Sequence, residues 1–91
     1  MWIRSQDEKR LSDCVEFYLQ ENKKNRYSVI GCSKNSIGHI IGTYENFEKA
    51  KKVLDMIQER IIEIDKTKFF GSKEEVYISN VFQMPYDYEV E

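Results

Sequence analysis

Ninety-one residues, 41% hydrophobic and 33% charged, fit one globular domain and leave no room for a second independent core. Fourteen basic residues against sixteen acidic ones give a formal charge of −2, which excludes a whole-domain attraction to nucleic acid or to anionic membranes. A domain of this size buries only roughly 60–65% of its unfolded surface, so an added subunit contact would matter to its stability.

The opening Met1-Trp2-Ile3-Arg4-Ser5-Gln6-Asp7 turns polar after three residues. It has no apolar core of the kind a secretory leader needs. No apolar run reaches the roughly 18–20 residues that span a bilayer, so no membrane contact is expected. With two cysteines and no export signal, the expected compartment is the reducing cytoplasm.

Trp2 to Ser5 reads as a short strand stopped by the polar turn Ser5-Gln6-Asp7-Glu8. From Cys14 to Gln20 the pattern alternates, with Val15, Phe17 and Leu19 on one face and Cys14, Glu16 and Tyr18 on the other. A charged turn, Glu21 to Asn25, leads into a strand from Arg26 to Cys32. Lys34-Asn35 reads as the centre of a tight turn, and Ile37 to Tyr44 as the next strand. Gly38 and Gly42 inside it mark a bend or a close backbone approach.

The helix is the clearest element. Phe47, Ala50, Leu54, Ile57, Ile61 and Ile64 recur at spacings of three and four, which holds them on one stripe. Asn46 is placed to cap its start, Glu48 suits the positive end of the helix dipole, and Lys66 and Lys68 suit the negative end. After a loop from Thr67 to Lys73, Glu75 to Met84 returns to strand character, with Val76, Ile78, Phe82 and Met84 on one face and Asn80 interrupting. Pro85 ends the strand. Residues 1–85 thus form one domain, and 86–91 an acidic C-terminal tail. The predicted fold is α+β, an antiparallel β-meander of four to five strands packed on one amphipathic helix as a two-layer sandwich.

Two-residue turns would set Val29 opposite Ile40, Ile30 opposite His39 and Cys32 opposite Ile37, with Phe17 opposite Val29 and Cys14 opposite Cys32. On that register the helix covers Val15, Phe17, Leu19, Tyr27, Val29 and Ile40. The other face carries Tyr18, Ile30, Cys32, Ile37, His39 and Ile41, too apolar for a solvated surface. One helix cannot cover both faces. A second copy of the chain is the expected cover, and Ile30, Cys32, Ile37, His39 and Ile41 are the candidate dimer interface.

Candidate chemistry is sparse. Cys14 and Cys32 read as reduced thiols packed as small apolar groups. Adding His39 still falls short of the four clustered ligands of a structural zinc. Cys32 and His39 lack a third group to orient the histidine, so no catalytic pair is expected. The helix carboxylates Glu48, Asp55, Glu59 and Glu63 stand among basic residues as exposed ion pairs. The dispersed glycines form no phosphate loop. No catalytic residue, cofactor or metal is expected. The one nucleic-acid candidate is the turn Lys23, Lys24 and Arg26 with Tyr18 and Tyr27, where aromatics could stack bases and cations neutralise phosphates.

Trp2-Ile3-Arg4-Ser5-Gln6-Asp7, the run from Ile41-Gly42-Thr43-Tyr44 into Ala50-Lys51-Lys52-Val53-Leu54-Asp55-Met56-Ile57-Gln58, and Val81-Phe82-Gln83-Met84-Pro85 span nearly the whole chain. In them the chain resembles small uncharacterised proteins of low-GC Gram-positive bacteria and their prophages. The resemblance implies a bacterial or phage origin and carries over no catalytic residue. The expected function is a non-catalytic, self-associating interaction module, homodimeric and docking an unidentified protein. The alternative is a binder of single-stranded nucleic acid through the basic turn and the tyrosines.

Overall fold

The computed structural model describes residues 1–69 and 81–91, apart from the side chains of 65–69. In chain order these form β1 (Trp2–Arg4), β2 (Leu11–Glu21), β3 (Tyr27–Ser33), β4 (His39–Tyr44), α1 (Phe47–Phe69), β5 (Val81–Gln83) and a 3-10 turn, Asp87–Glu89. The strands make one sheet in the order β4-β3-β2-β1-β5. The α+β fold is therefore as expected, four strands joined as an antiparallel meander under one helix. The fifth strand departs from the meander by running parallel to β1, with Ile3 beside Phe82. The expected strand positions Val76, Ile78 and Asn80, and the side chains of Lys66 and Lys68, lie outside the described residues.

Asn46 caps the helix as anticipated: its Oδ1 accepts from the Lys49 amide at 2.9 Å. The buried stripe centres on Ala50, Val53 and Ile57, with Leu54, Ile61 and Ile64 half-buried at its side. Val53, absent from the sequence stripe, is fully buried, whereas Phe47 is half-exposed and meets the Tyr27 ring edge-on at 5.3 Å. The helix packs on β2, β3 and β4, closing a core of Ile3, Cys14, Val29, Ile41, Tyr44, Phe82 and Met84. The apolar area so buried is the main source of stability.

Two bulges overturn the expected facings. On β2, Cys14 lies opposite Ser33 and Glu16 opposite Cys32, so Val15 is an extra residue. Cys14 joins Phe17 on the helix side, and Val15 is turned outward at 65% exposure. On β4, Gly42 lies opposite Val29 and Ile40 opposite Ile30, so Ile41 is extra. Ile41 is buried under the helix at 2% exposure, while Ile40 faces outward at 61%. The expected pairs, Val29 with Ile40, Phe17 with Val29, and Cys14 with Cys32, are each displaced. Gly31 sits where the two bulged strands crowd inward: a Cβ there would stand 2.8 Å from Cys14 Sγ and 3.2 Å from Ile41 Cδ1.

The β3–β4 connection is also longer than a two-residue hairpin. Ser36 bonds back to the Ser33 carbonyl at 3.1 Å around Lys34-Asn35, and Asn35 takes φ 62°, but β4 begins only at His39. Cys32 therefore does not pair with Ile37. The chain instead folds back over the outer face, where a Cβ on Gly38 would lie 2.6 Å from Ile30 Cγ2 and 2.7 Å from Cys32 Sγ.

The last six residues belong to the domain rather than to a tail. Val90 is buried in the core, Asp87 Oδ1 accepts from the Glu45 amide at 2.7 Å, and Tyr86 donates to Glu8 Oε2 at 2.7 Å. Lys49 reaches Asp87 at 3.4 Å, and Lys52 reaches the Glu91 carbonyl.

The turn after β1 holds the β4 edge. The Gln6 amide donates to the Ile41 carbonyl at 2.8 Å, and Gln6 Oε1 accepts from the Thr43 amide at 2.9 Å. Its Nε2 donates to the carbonyls of Thr43 and Pro85, and Tyr44 donates to the same Pro85 oxygen at 2.8 Å. One glutamine thus joins β1, β4 and the segment after β5. Truncating it strands several part-buried groups, so Gln6→Ala is expected to lower the unfolding free energy by about 1–3 kcal/mol in urea denaturation. A loss under about 0.5 kcal/mol would mean that the amide does not hold the edge.

Candidate interaction surface

Strand partners share a face, so the register gives the outward set directly. On β1 and β5, Ile3 and Phe82 point to the core, and Trp2, Arg4, Val81 and Gln83 point away. On β2, Leu11 and Asp13 pair with Arg4 and Trp2 and share that outward direction. Beyond the bulge Val15, Glu16 and Tyr18 continue it, with Cys32, Ile30 and Ile40 as cross-strand neighbours. Trp2, Leu11, Val15, Tyr18, Ile40 and Val81 are all substantially exposed there. Ile37 stands at 93% exposure on the segment that covers Ile30.

The five residues expected at a dimer interface are not brought together. Ile41 is in the core. His39 pairs with Gly31 and so faces inward, where its Nε2 lies 3.2 Å from Ser12 Oγ. Ile30 and Cys32 do face outward, but the chain's own Gly38 and Tyr18 pack near them, and Ile30 is only 3% exposed. Ile37 alone of the five is open. What sequence reasoning missed is the group Trp2, Leu11, Val15, Ile40 and Val81. Alternation in Leu11-Ser12-Asp13-Cys14-Val15 carried the signal for Leu11 and Val15, had the β2 strand been started three residues earlier.

The nucleic-acid candidates divide as well. Lys23, Lys24 and Arg26 are exposed on the turn closed by the Asn22 amide bonding the Arg26 carbonyl at 2.8 Å. Tyr27 faces the helix against Phe47, and burial and Glu21 raise its hydroxyl above the usual range. Tyr18 faces outward. The two tyrosines are thus separated by the sheet and form no joint stacking platform with the basic turn.

Cys14 and Cys32 are free and on opposite faces, Cys14 buried and its thiol pushed up by that burial. Cys32 and His39 are likewise separated by the sheet. Among the described residues no three His, Cys, Asp or Glu converge on a point that could hold a metal. The contact between Ser12 and His39 resembles a nucleophile with its base, yet among the described residues nothing bonds the second ring nitrogen to orient it.

The Ser5–Arg10 turn borders an open cleft of about 310 Å³ against Ile40–Thr43. Its polar groups are engaged in the fold. Ser5 donates to Asp7 Oδ1 at 2.6 Å and accepts from the Arg10 amide, and Asp7 Oδ1 also accepts from the Lys9 amide. Those bonds hold the Asp7 carboxyl below its ordinary value.

Burial, and secondarily the charge of Arg10, lower His39 below its ordinary 6.5. The folded protein therefore favours the neutral ring, and between the two values the unfolded chain binds more protons. This contribution to stability is fully present above pH 6.5 and declines as pH falls below it through the folded value. His39→Gln should flatten the pH dependence of the urea midpoint below that point, and an unchanged slope would contradict the assignment.

No family model, curated protein or solved structure matches this chain.

Proposed function

We propose that this chain is a non-catalytic interaction module that self-associates through the outer face of its sheet, an accessory protein in the bacterial or phage setting its resemblance implies. The supporting observation is the outward set Trp2, Leu11, Val15, Tyr18 and Val81 on the neighbouring strands β5, β1 and β2, with Ile40 exposed on β4 beyond β3. Scattered exposed apolar residues are ordinary, but several that share one outward direction on the adjacent strands β5, β1 and β2 have the composition of an interface. The helix already occupies the other face, and Gln6 occupies the backbone groups of the β4 edge. A homodimer uses such a patch twice and requires no further partner. A small domain also gains most from the apolar area that a second copy would bury.

The two neighbouring isoleucines of β4 give the test. Ile40→Lys alters an open position, so sedimentation velocity at micromolar concentration should show a folded monomer in place of a wild-type dimer. Ile41→Lys buries a charge beside Tyr44 and Val29 and should unfold the domain. A wild-type monomer, or a dimer unaffected by Ile40→Lys, would overturn the reading.

A further inference from the structure

The charges on the same face give the proposed self-association an orientation, which rests on the reading of this face as an interface between two copies. Along β1 and β2 the outward positions run Arg4 beside Leu11, Trp2 beside Asp13, then Val15 and Glu16, then Tyr18. Asp13 is neutralised within the chain, since the Met1 α-amino group lies 2.9 Å from its Oδ1. Arg4 spends one donor on the Glu8 carbonyl at 3.2 Å, and its guanidinium has four more. Glu16 is exposed and makes no ion pair among the described residues. Among the described residues of β1 and β2, the face thus carries one uncommitted charge of each sign, at either end of the stretch from Trp2 to Val15. At about 3.3 Å per residue they stand roughly 13–16 Å apart along β2.

An isologous contact requires that if Arg4 of one copy meets a residue of the second, that residue of the first meets Arg4 of the second. We propose that two copies pack outer face to outer face about a two-fold axis crossing the strands between Asp13 and Val15. Arg4 of each copy then meets Glu16 of the other, twice. The same operation lays Trp2 of one copy over Val15 of the other and brings the self-neutralised Asp13 close to the axis. Arginine and glutamate side chains are long enough to meet across the ~10 Å that separates packed sheets. Rim ion pairs of this kind add little affinity; their effect is to fix orientation and to penalise like-charge alternatives.

The test is a charge exchange followed by sedimentation velocity and native mass spectrometry at low salt. Arg4→Glu should face Glu16 twice, and Glu16→Arg should face Arg4 twice, so each variant alone should dimerise about tenfold or more weakly than wild type. An equimolar mixture of the two should form a one-to-one heterodimer, because every contact then pairs opposite charges. The double variant Arg4→Glu/Glu16→Arg should dimerise like wild type. Recovery in the mixture and in the double variant also separates lost pairing from lost folding. A dimeric wild type with unaffected single variants, or with no recovery on mixing or in the double variant, would overturn the axis and leave self-association standing. A wild type that stays monomeric would overturn both and assign the face to a partner other than this chain.

Discussion

One extra residue on each of two strands decides which side of the sheet the apolar side chains see. Because strand side chains alternate, a single insertion reverses every facing beyond it. The bulge at Val15 keeps Phe17 and Leu19 under the helix while turning Cys14 inward and Val15 out. The bulge at Ile41 keeps Gly42 and Tyr44 inward, adds Ile41 to the core and leaves Ile40 outside. Both bulges load the inner side, and the space they need is given by Gly31, whose missing Cβ lies between Cys14 and Ile41. The same two shifts also furnish the outer face with Val15 and Ile40. Core and candidate interface are therefore set by one feature.

Gln6 complements that sorting at the sheet edge. An exposed edge strand offers unpaired backbone groups to any other strand, and proteins commonly cover such edges. Here the glutamine backbone and side chain satisfy Ile41 and Thr43 of β4. Association by strand addition is thereby disfavoured along β4. The C-terminal residues extend the cover, with Val90 in the core and Asp87 engaging Glu45 and Lys49 beside the helix start.

Much of this architecture was legible in the residues. The three-four spacing and the Asn46 cap marked the helix, and alternation marked β2, because these signals arise within single elements. The bulges were not legible, since an inserted Val15 or Ile41 is as apolar as the residue it displaces and alters no local pattern. The Ser36–Gly38 fold-back was missed for a related reason: Gly38 suits both a strand bend and close contact with Ile30, and only the tertiary packing distinguishes them. Pro85 and the acidic residues after it masked Val90, whose burial depends on the 3-10 turn rather than on strand or helix periodicity. An apolar second face was therefore foreseeable in kind, through Tyr18, Ile30 and Cys32, while Ile41 and His39 were assigned to the wrong side.

The sole tryptophan, Trp2, offers the most direct view of the proposed association. It lies 45% exposed on the outer face, and the two-fold arrangement would bury it against the second copy. Its fluorescence, followed while the protein is diluted from micromolar to nanomolar concentration, reads that burial without altering a residue. Association through this face should give an emission maximum that moves to longer wavelength on dilution as the ring becomes hydrated. An emission maximum that stays at the same wavelength across the whole range would contradict it.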